Sequence, residues 1–479
     1  MNEAMTTKSI KFLLLTLPLC CVVAAALTSC TDYLDVQPYG RTIPKTAEEF
    51  SALVHGQLDK VDEGTSLLIA PAAERSEWDC GAGDNFEVCL TETSGQMLLV
   101  SQRSLLNTYS VYQPWSSLYE IIRDCNIVID NMEEEGTALA DHTMATAYAM
   151  RAVAYYELIH YYCEAPRQQE MDSQPGLPIV TQFDMEARPI RSSLQQTAEL
   201  VERDLRKSIS YHCSDNLYRF TEDVAWGYLA RLYFWTEQWD KALPVCDSLL
   251  KRHPLVSADE FLKMANEPFQ LNGNKLVTAY RVSSSSSNYA YTAVTKNLQF
   301  RPVSTRFLNC FVAGDDTTDV RYQLSVNRRR KVQKPVFCGM RAAEFQLIKA
   351  EALCHLGQTE EALAALNELR SLRIKDYKPL TLQTLPAVPA SEYIKVDCEG
   401  APLTPLIGAI LVERRKELFM EGDRFWELKR NGSPEFWTAY NGRKYTTLSY
   451  MYTWPIPEVE VRINPAIEQN PGYTELIDK

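Results

Sequence analysis

Glu413 and Glu417 are the residues of this 479-residue chain whose spacing first suggests chemistry. They stand four positions apart in Glu413-Arg414-Arg415-Lys416-Glu417, so a helix carries both on one face. Two facing carboxyls are the equipment of glycoside hydrolysis. The basic residues between them point the other way, to an ion-paired helix locked to Arg424, and this structural reading is the stronger. His160 and Cys163 share a helix face but have no further ligands, which fits packing better than a metal site. Gly81-x-Gly83 follows no strand and is not completed at Phe86, so it makes a poor nucleotide loop. There is no HExxH, no G-x-S-x-G and no P-loop. Neither a catalytic residue nor a cofactor or metal is expected.

What remains is binding. Flat aromatic rings stack on the apolar faces of sugars, and Asn, Asp and Arg groups reach their hydroxyls. Two segments offer this mix. One runs Glu74-Arg75-Ser76-Glu77-Trp78-Asp79 and continues to Asp84-Asn85-Phe86. The other is Tyr280-Arg281 with Asn288-Tyr289-Ala290-Tyr291. The candidate contacts are Trp78, Asp79, Asn85, Tyr289 and Tyr291. Trp78 is expected in a polar, glycine-bearing loop with no helical period to bury it. Trp115 and Trp226 read as helix core.

The elements that must carry these residues are mostly helices. Apolar residues recur at helical spacing over Trp115–Met132, Thr143–Tyr162 and Arg191–Ile209. A helix pair fills Asp223–Lys251 and stops at Pro254. Helix returns over Arg341–Ser371 and over Leu406–Glu421. The middle, 257–335, has few apolar stripes and reads as loops with short strands. The tail from Trp437 is aromatic and proline-rich, hence irregular. Ala230 and Ala242 are spaced like Ala350 and Ala362, as in tetratricopeptide helix pairs, where small residues let two helices touch. A looser copy starts at Ala152 and Tyr155 and resumes at Ala198. Such repeats build scaffolds and carry no chemistry of their own.

The start of the chain has a different character. Lys8 and Lys11 precede an apolar run, Phe12–Leu27, which ends Leu27-Thr28-Ser29-Cys30. This is the layout of an export signal, and Cys30 at the junction resembles a bacterial lipobox. Cleavage before Cys30 would leave its thiol to carry lipid. An ordinary signal cleaved near Ala26 is the alternative; a membrane span is disfavoured because it needs ~20 apolar residues. The formal net charge is −13. Dispersed Lys and Arg on an acidic body exclude a nucleic-acid face and polybasic lipid attachment. The thirteen cysteines include no CxxC pair, which argues against a zinc or thioredoxin-type motif. Cys246 and Cys354 read as packed thiols; Cys80 and Cys89 flank a loop that a disulfide would close.

Several motifs in order resemble the SusD/RagB family of Bacteroidetes lipoproteins. They are Cys30 with Tyr33-Leu34-Asp35; Trp115-x-x-Leu118-Tyr119-x-x-Ile122-x-x-Cys125-Asn126; and Arg151-Ala152-x-x-Tyr155-Tyr156. Next come Glu344, Ala350-Glu351-Ala352, Gly357, Ala362-Leu363, Asn367 and Arg370. Glu413-Arg414-Arg415-x-Glu417-Leu418, Glu421-Gly422-x-Arg424 and Leu428-Lys429-Arg430 follow. The set ends with Trp454-Pro455-Ile456-Pro457 and Asn470-Pro471-Gly472-Tyr473. The resemblance implies a mainly α fold of TPR-like helix pairs bearing a loop-rich face. It implies a signal peptide at 1–29 and a single domain at 30–479. Within it the scaffold occupies about 115–254 and 341–373, loop-rich insertions about 60–110 and 257–335, and a family segment 406–479. It also implies an outer-membrane location, lipid-anchored and facing outward, and a TonB-dependent SusC-like barrel as partner. The ligand would be a glycan oligomer or a peptide, glycan being the commoner, with no catalysis. A lipid-anchored hydrolase on a helical scaffold is the competing expectation.

Overall fold

Side-chain caps write the helix starts into the chain. In the computed structural model, residues 44–87, 112–132, 136–182, 186–268, 270–271, 274–278, 301–440 and 443–473 are described. The Thr46 hydroxyl accepts from Glu49 N to open α1 (Ala47–Asp62). After it come α2 (Ala72–Glu77), which runs into a π-helical turn at Trp78–Ala82, then α3 (Tyr112–Asn131) and α4 (Ala138–Tyr162). An antiparallel pair, β1 (Pro175–Pro178) and β2 (Arg191–Ser193), leads into α5 (Leu194–Ile209) through a capping box of Ser193 and Gln196. Next are α6 (Glu222–Trp235), α7 (Trp239–Arg252), α8 (Ala258–Asn266) and β3 (Lys275–Thr278). Short helices α9 (Thr305–Leu308), α10 (Asp315–Thr318) and α11 (Val320–Ser325) precede β4 (Gly339–Arg341), which pairs with β3. The chain continues through α12 (Ala342–His355), α13 (Thr359–Ser371), α14 (Pro405–Glu417) and α15 (Arg424–Arg430). It closes with the hairpin β5 (Phe436–Tyr440)–β6 (Arg443–Thr447) and α16 (Glu458–Ile463).

Helix dominates, as expected, and the helices stack in series: α3 on α4, then α5, α6, α7, α12 and α13, with α14 against α12. The α7–α12 contact joins two segments separated by the whole middle region, so that region is an insertion between neighbouring repeats. The two pairs α6–α7 and α12–α13 match position by position. Ala230 and Ala242 in one, and Ala350 and Ala362 in the other, are all fully buried. Their turns close with the same hydrogen bond. Gln238 N donates to Tyr233 O and Gln358 N to Leu353 O, both at 2.8 Å. Gly357 takes φ +75° in its turn, and Glu237 is forced to φ +58° in the other, a left-handed conformation that costs a side-chain-bearing residue about 1–2 kcal/mol.

Burial decides which helices sit inside. α4, α12 and α14 are covered on nearly every face, as a helix without a polar stripe must be. Trp115 is buried in the core and Trp226 packs half-buried against it. Cys246 is buried and Cys354 half-buried, both free thiols. The middle departs from the expected loops: α8 to α11 are helical. They are too short for periodicity to reveal, and α8 and α11 share a small apolar cluster around Phe261 and Leu324. The tail also departs, because β5 and β6 pair in regular register from Phe436↔Thr447 to Tyr440↔Arg443. The leader and Cys89 lie outside the described residues. Among the described residues no helix is long and apolar enough to cross a membrane.

Candidate functional site

The charged run on α14 is buried. Glu413, Arg414, Arg415, Lys416 and Glu417 are each almost wholly covered, so every charge must find a partner inside the protein. Glu413 meets Arg321 and Arg370 at 2.5 Å and Lys416 at 2.9 Å. Glu417 meets Arg341 at 2.7 Å, Arg373 at 3.0 Å and Arg321 at 3.3 Å. Burial alone would raise both carboxyls, but the surrounding arginines hold them well below the usual carboxylate range. A glycosidase needs one of its two carboxyls protonated; neither of these qualifies. The ion-paired reading of the motif therefore describes the geometry. Its lock is not Arg424, however. Arg424 pairs with Asp84 at 2.7 Å, Glu392 at 2.5 Å and Glu427 at 2.9 Å, one layer away from Glu413 and Glu417.

That second layer captures the segment of Trp78. Trp78 begins the π-helical turn after α2 and is 2% exposed. Its ring meets Trp426 at 5.0 Å and Tyr161 at 5.7 Å, both edge to face. Asp79 accepts from Asn85 Nδ2 at 3.0 Å and from Gly422 N at 3.3 Å; burial pushes its carboxyl up to about 7. Asn85 in turn accepts from Arg415 Nε at 3.0 Å. Gly422 has φ +73°, and a Cβ there would press on the Trp78 ring and the Arg75 side chain, so glycine is what lets the two segments approach.

Around Trp78 lies a narrow crevice of about 80 Å³, walled by Tyr156, His160, Trp235 and Trp426. It has room for a few waters but not for a sugar ring, and its aromatic faces are largely spent on one another. His160 packs 4.0 Å from Trp235. Burial lowers it to about 3, so it is neutral. Packing is thus its role, as expected.

An open cleft of about 500 Å³ offers more. It lies between the end of α4, the loop before α14, the end of α15 and the turn after β6. Pockets of this size hold small ligands. Glu164, Arg167, Glu399, Ser433 and Tyr450 give it a polar, hydroxyl-ready lining. Lys429 sits against it, donating to the carbonyls of His160 and Cys163 at 2.6 Å each. Ser433 and Ser449 both line the cleft and flank the β5–β6 hairpin, which therefore springs from its rim. On β5, Phe436 faces inward and Trp437 stands 55% exposed, with Lys444 on its ring at 5.3 Å.

The model of the SusD family matches residues 272–473, and a model described as starch-binding, associating with outer membrane, matches residues 32–234. A SusD-like protein of Formosa agariphila is 23% identical over 97% of this chain and 99% of its own. The structure of a SusD superfamily protein from Bacteroides thetaiotaomicron aligns with TM-score 0.69 at 21% identity, over 89% of this chain and all of that one. A laminarin-binding SusD-like protein aligns with TM-score 0.57 at 16% identity, over 89% and 99%. The chain belongs to the SusD/RagB family.

For a SusD/RagB protein the geometry revises the candidate list. Trp78, Asp79 and Asn85 are brought together, but in the interior. The expectation of an exposed loop is corrected, because α2 and the following turn are helical and fasten to α14 and Gly422. Tyr289 and Tyr291 lie outside the described residues, as does Cys30. The end of the first segment does pair with the chain at 302–303: Phe86 bridges Val303, and Glu87 N donates to Pro302 O at 2.8 Å. Trp437 and Tyr450 were not among the candidates. Strand alternation would have found Trp437, since an inward Phe436 turns its neighbour out. The cleft has no such signal, because its walls come from five separate stretches of chain.

Proposed function

We propose that this protein is an outer-membrane lipoprotein, anchored through Cys30, that binds a glycan oligomer and delivers it to a TonB-dependent SusC-like barrel. The observation that carries this reading is the ordered match of two family models to residues 32–234 and 272–473, one of them described as starch-binding and outer-membrane-associated. The likeness to a laminarin-binding structure favours glycan over peptide. The proposed role is binding without catalysis, in keeping with Glu413 and Glu417 being pinned by arginines. The proposed contacts are Tyr289 and Tyr291, together with Tyr450 in the cleft and the exposed Trp437 on the hairpin beside it. Trp78, Asp79 and Asn85 hold the ligand face from below. The single-domain boundaries 30–479 and the 1–29 leader go with this proposal.

Calorimetric titration of the purified protein against laminarin, starch oligomers and a peptide set tests it. Glycan binding is expected, with about 1–3 kcal/mol lost in Trp437→Ala or in the Tyr289→Ala/Tyr291→Ala pair, as for aromatic stacking on other flat ligands. Peptide binding with silent glycans refutes the ligand class. Palmitate-analogue labelling that persists in Cys30→Ala refutes the anchor.

A further inference from the structure

We propose that Glu351, His355 and Cys398 form a binding site for a single zinc-like divalent ion on the wall of the open cleft. Glu351 and His355 are four residues apart on α12, hence on one helix face. Cys398 comes from the loop before α14. Their ligand atoms all lie within 4.8 Å of one another. Cys398 Sγ is 3.8 Å from His355 Nε2, close to the separation of two ligands on one tetrahedral zinc, given Zn–S of about 2.3 Å and Zn–N of about 2.0–2.1 Å. A thiolate, an imidazole and a carboxylate with one position left for water is a set that zinc accepts.

Two further observations point to an ion. Glu351 is fully buried. Arg430 binds its Oε1, while its Oε2 is buried with no hydrogen-bond partner. A carboxylate oxygen left dry in this way is costly, and a cation would satisfy it. The histidine is also dressed for ligation. His355 Nδ1 faces Glu399 Oε1 at 3.1 Å, and Trp239 Nε1 donates to that same oxygen at 3.2 Å. The Trp239 ring lies flat on the imidazole, 4.4 Å away and 5° from parallel. A carboxylate on Nδ1 fixes that nitrogen as the donor and leaves the Nε2 lone pair toward Cys398, the support that metal-binding histidines use. Cys398 and Glu399 line the cleft, which gives the ion its way in. On binding, the thiol proton leaves to solvent as the sulfur–metal bond forms; nothing is oxidised or reduced.

Thiol, imidazole and carboxylate in a row also describe a cysteine nucleophile. A nucleophile, however, would leave the buried Oε2 of Glu351 without a partner, whereas a cation satisfies it.

The test uses the full-length protein in detergent with cobalt(II) as the probe. One equivalent should bind and give a near-ultraviolet thiolate-to-cobalt absorption, which zinc then abolishes, as the stronger binder of the two. Cys398→Ser should remove the absorption, and Cys354→Ser, at a thiol outside the site, should keep it. Glu399 is 48% exposed at its side chain, so Glu399→Gln should fold normally, and its cobalt affinity should fall about tenfold to a hundredfold. The inference is overturned if the parent shows no thiolate absorption at one equivalent, if Cys398→Ser retains it, or if Glu399→Gln binds as tightly as the parent. Should Cys398→Ser not fold, the Glu399→Gln affinity alone decides.

Discussion

Glu417 is the carboxylate on which the buried charge layer depends, and Glu417→Gln measures by how much. The side chain is 0% exposed and three guanidiniums converge on it. Two of them have other carboxylates: Arg321 keeps Asp319 and Glu413, and Arg341 keeps Glu421. Arg373 has no other salt-bridge partner among the described residues; it otherwise donates to the carbonyls of Val256 and Leu372. The substitution therefore strands one buried cation, which costs about 3–5 kcal/mol. Urea unfolding of parent and variant at neutral pH reads the loss directly. Removing the stranded charge as well should recover much of it. Arg373 lies over the Phe261 ring at 4.2 Å, a seat that Met fills, so Arg373→Met with Glu417→Gln should be more stable than Glu417→Gln alone. The pH dependence has a definite sign. The folded Glu417 carboxyl sits well below its unfolded value of 4.5, so its contribution is present above that pH and fades as pH falls below it. The gap between parent and variant should narrow on acidification. A loss under about 1 kcal/mol at neutral pH, or a double variant no better than the single, would refute the reasoning.

Three other substitutions have expected outcomes. Ala242→Leu should overpack the α6–α7 contact and cost roughly 1–3 kcal/mol; a variant that melts like the parent contradicts the helix-pair packing. Trp78→Ala should cost about 3–5 kcal/mol of stability, as a buried aromatic does, and calorimetric melting distinguishes this from a ligand contact that leaves the fold untouched. Glu157 walls the crevice and burial raises it from 4.5 to about 7, against Arg75 and Arg231. The cost of ionising it is absent below pH 4.5, grows through the interval and is complete above 7. Glu157→Gln should therefore gain stability only as pH rises, approaching about 2 kcal/mol once partial exposure is discounted. An equal difference at pH 4 and pH 8 would contradict that assignment.

The scaffold was legible because helix periodicity and small-residue spacing are local signals. Ala230 with Ala242, and Ala350 with Ala362, announce two helix pairs without any knowledge of what lies between them. The short helices α8 to α11 were not legible, since four to nine residues span too few turns for a stripe to show. Trp78 was misjudged for a related reason. A six-residue helix and a five-residue turn look like loop, and what buries the tryptophan is Trp426 and Gly422, more than 340 positions away. Exposure of an aromatic is a tertiary property, and no local pattern carried it. The Glu413–Glu417 run was readable as ion pairing because two carboxylates on one helix face with three basic residues between them demand partners. The identity of those partners was not readable, since Arg321 comes from α11, Arg341 from β4, Arg370 from α13 and Arg373 from just beyond it. The metal-ligand set escaped for the same cause: Glu351 and His355 show their spacing, but Cys398 reaches them only through the fold.

The placement of the charge layer bears on how such a protein presents a ligand. Stacked repeats specify which helices touch but leave the segments between them free to drift. Here the drift is taken up by buried carboxylates and guanidiniums. Asp84 ties the Trp78 segment to Arg415 and Arg424. Arg321, itself held by Asp319, ties the middle insertion to Glu413 and Glu417. Glu392 ties the loop before α14 to Arg415 and Arg424. Each bond is directional, and each costs desolvation that apolar packing would not, so its use is position rather than stability. The roots at Phe86 and Val303 are fixed by this layer, since Ser304 N donates to Asn85 O and Asn85 accepts from Arg415. Substitutions at Tyr289, Tyr291 or Trp437 should then change what is bound without changing where the loops leave the body, whereas substitutions at Asp84 or Glu392 should weaken binding of every ligand alike. Titration of Glu392→Gln against two glycans of different linkage separates these cases: a selective loss for one glycan would mean that the layer contacts ligand and does not merely hold its frame.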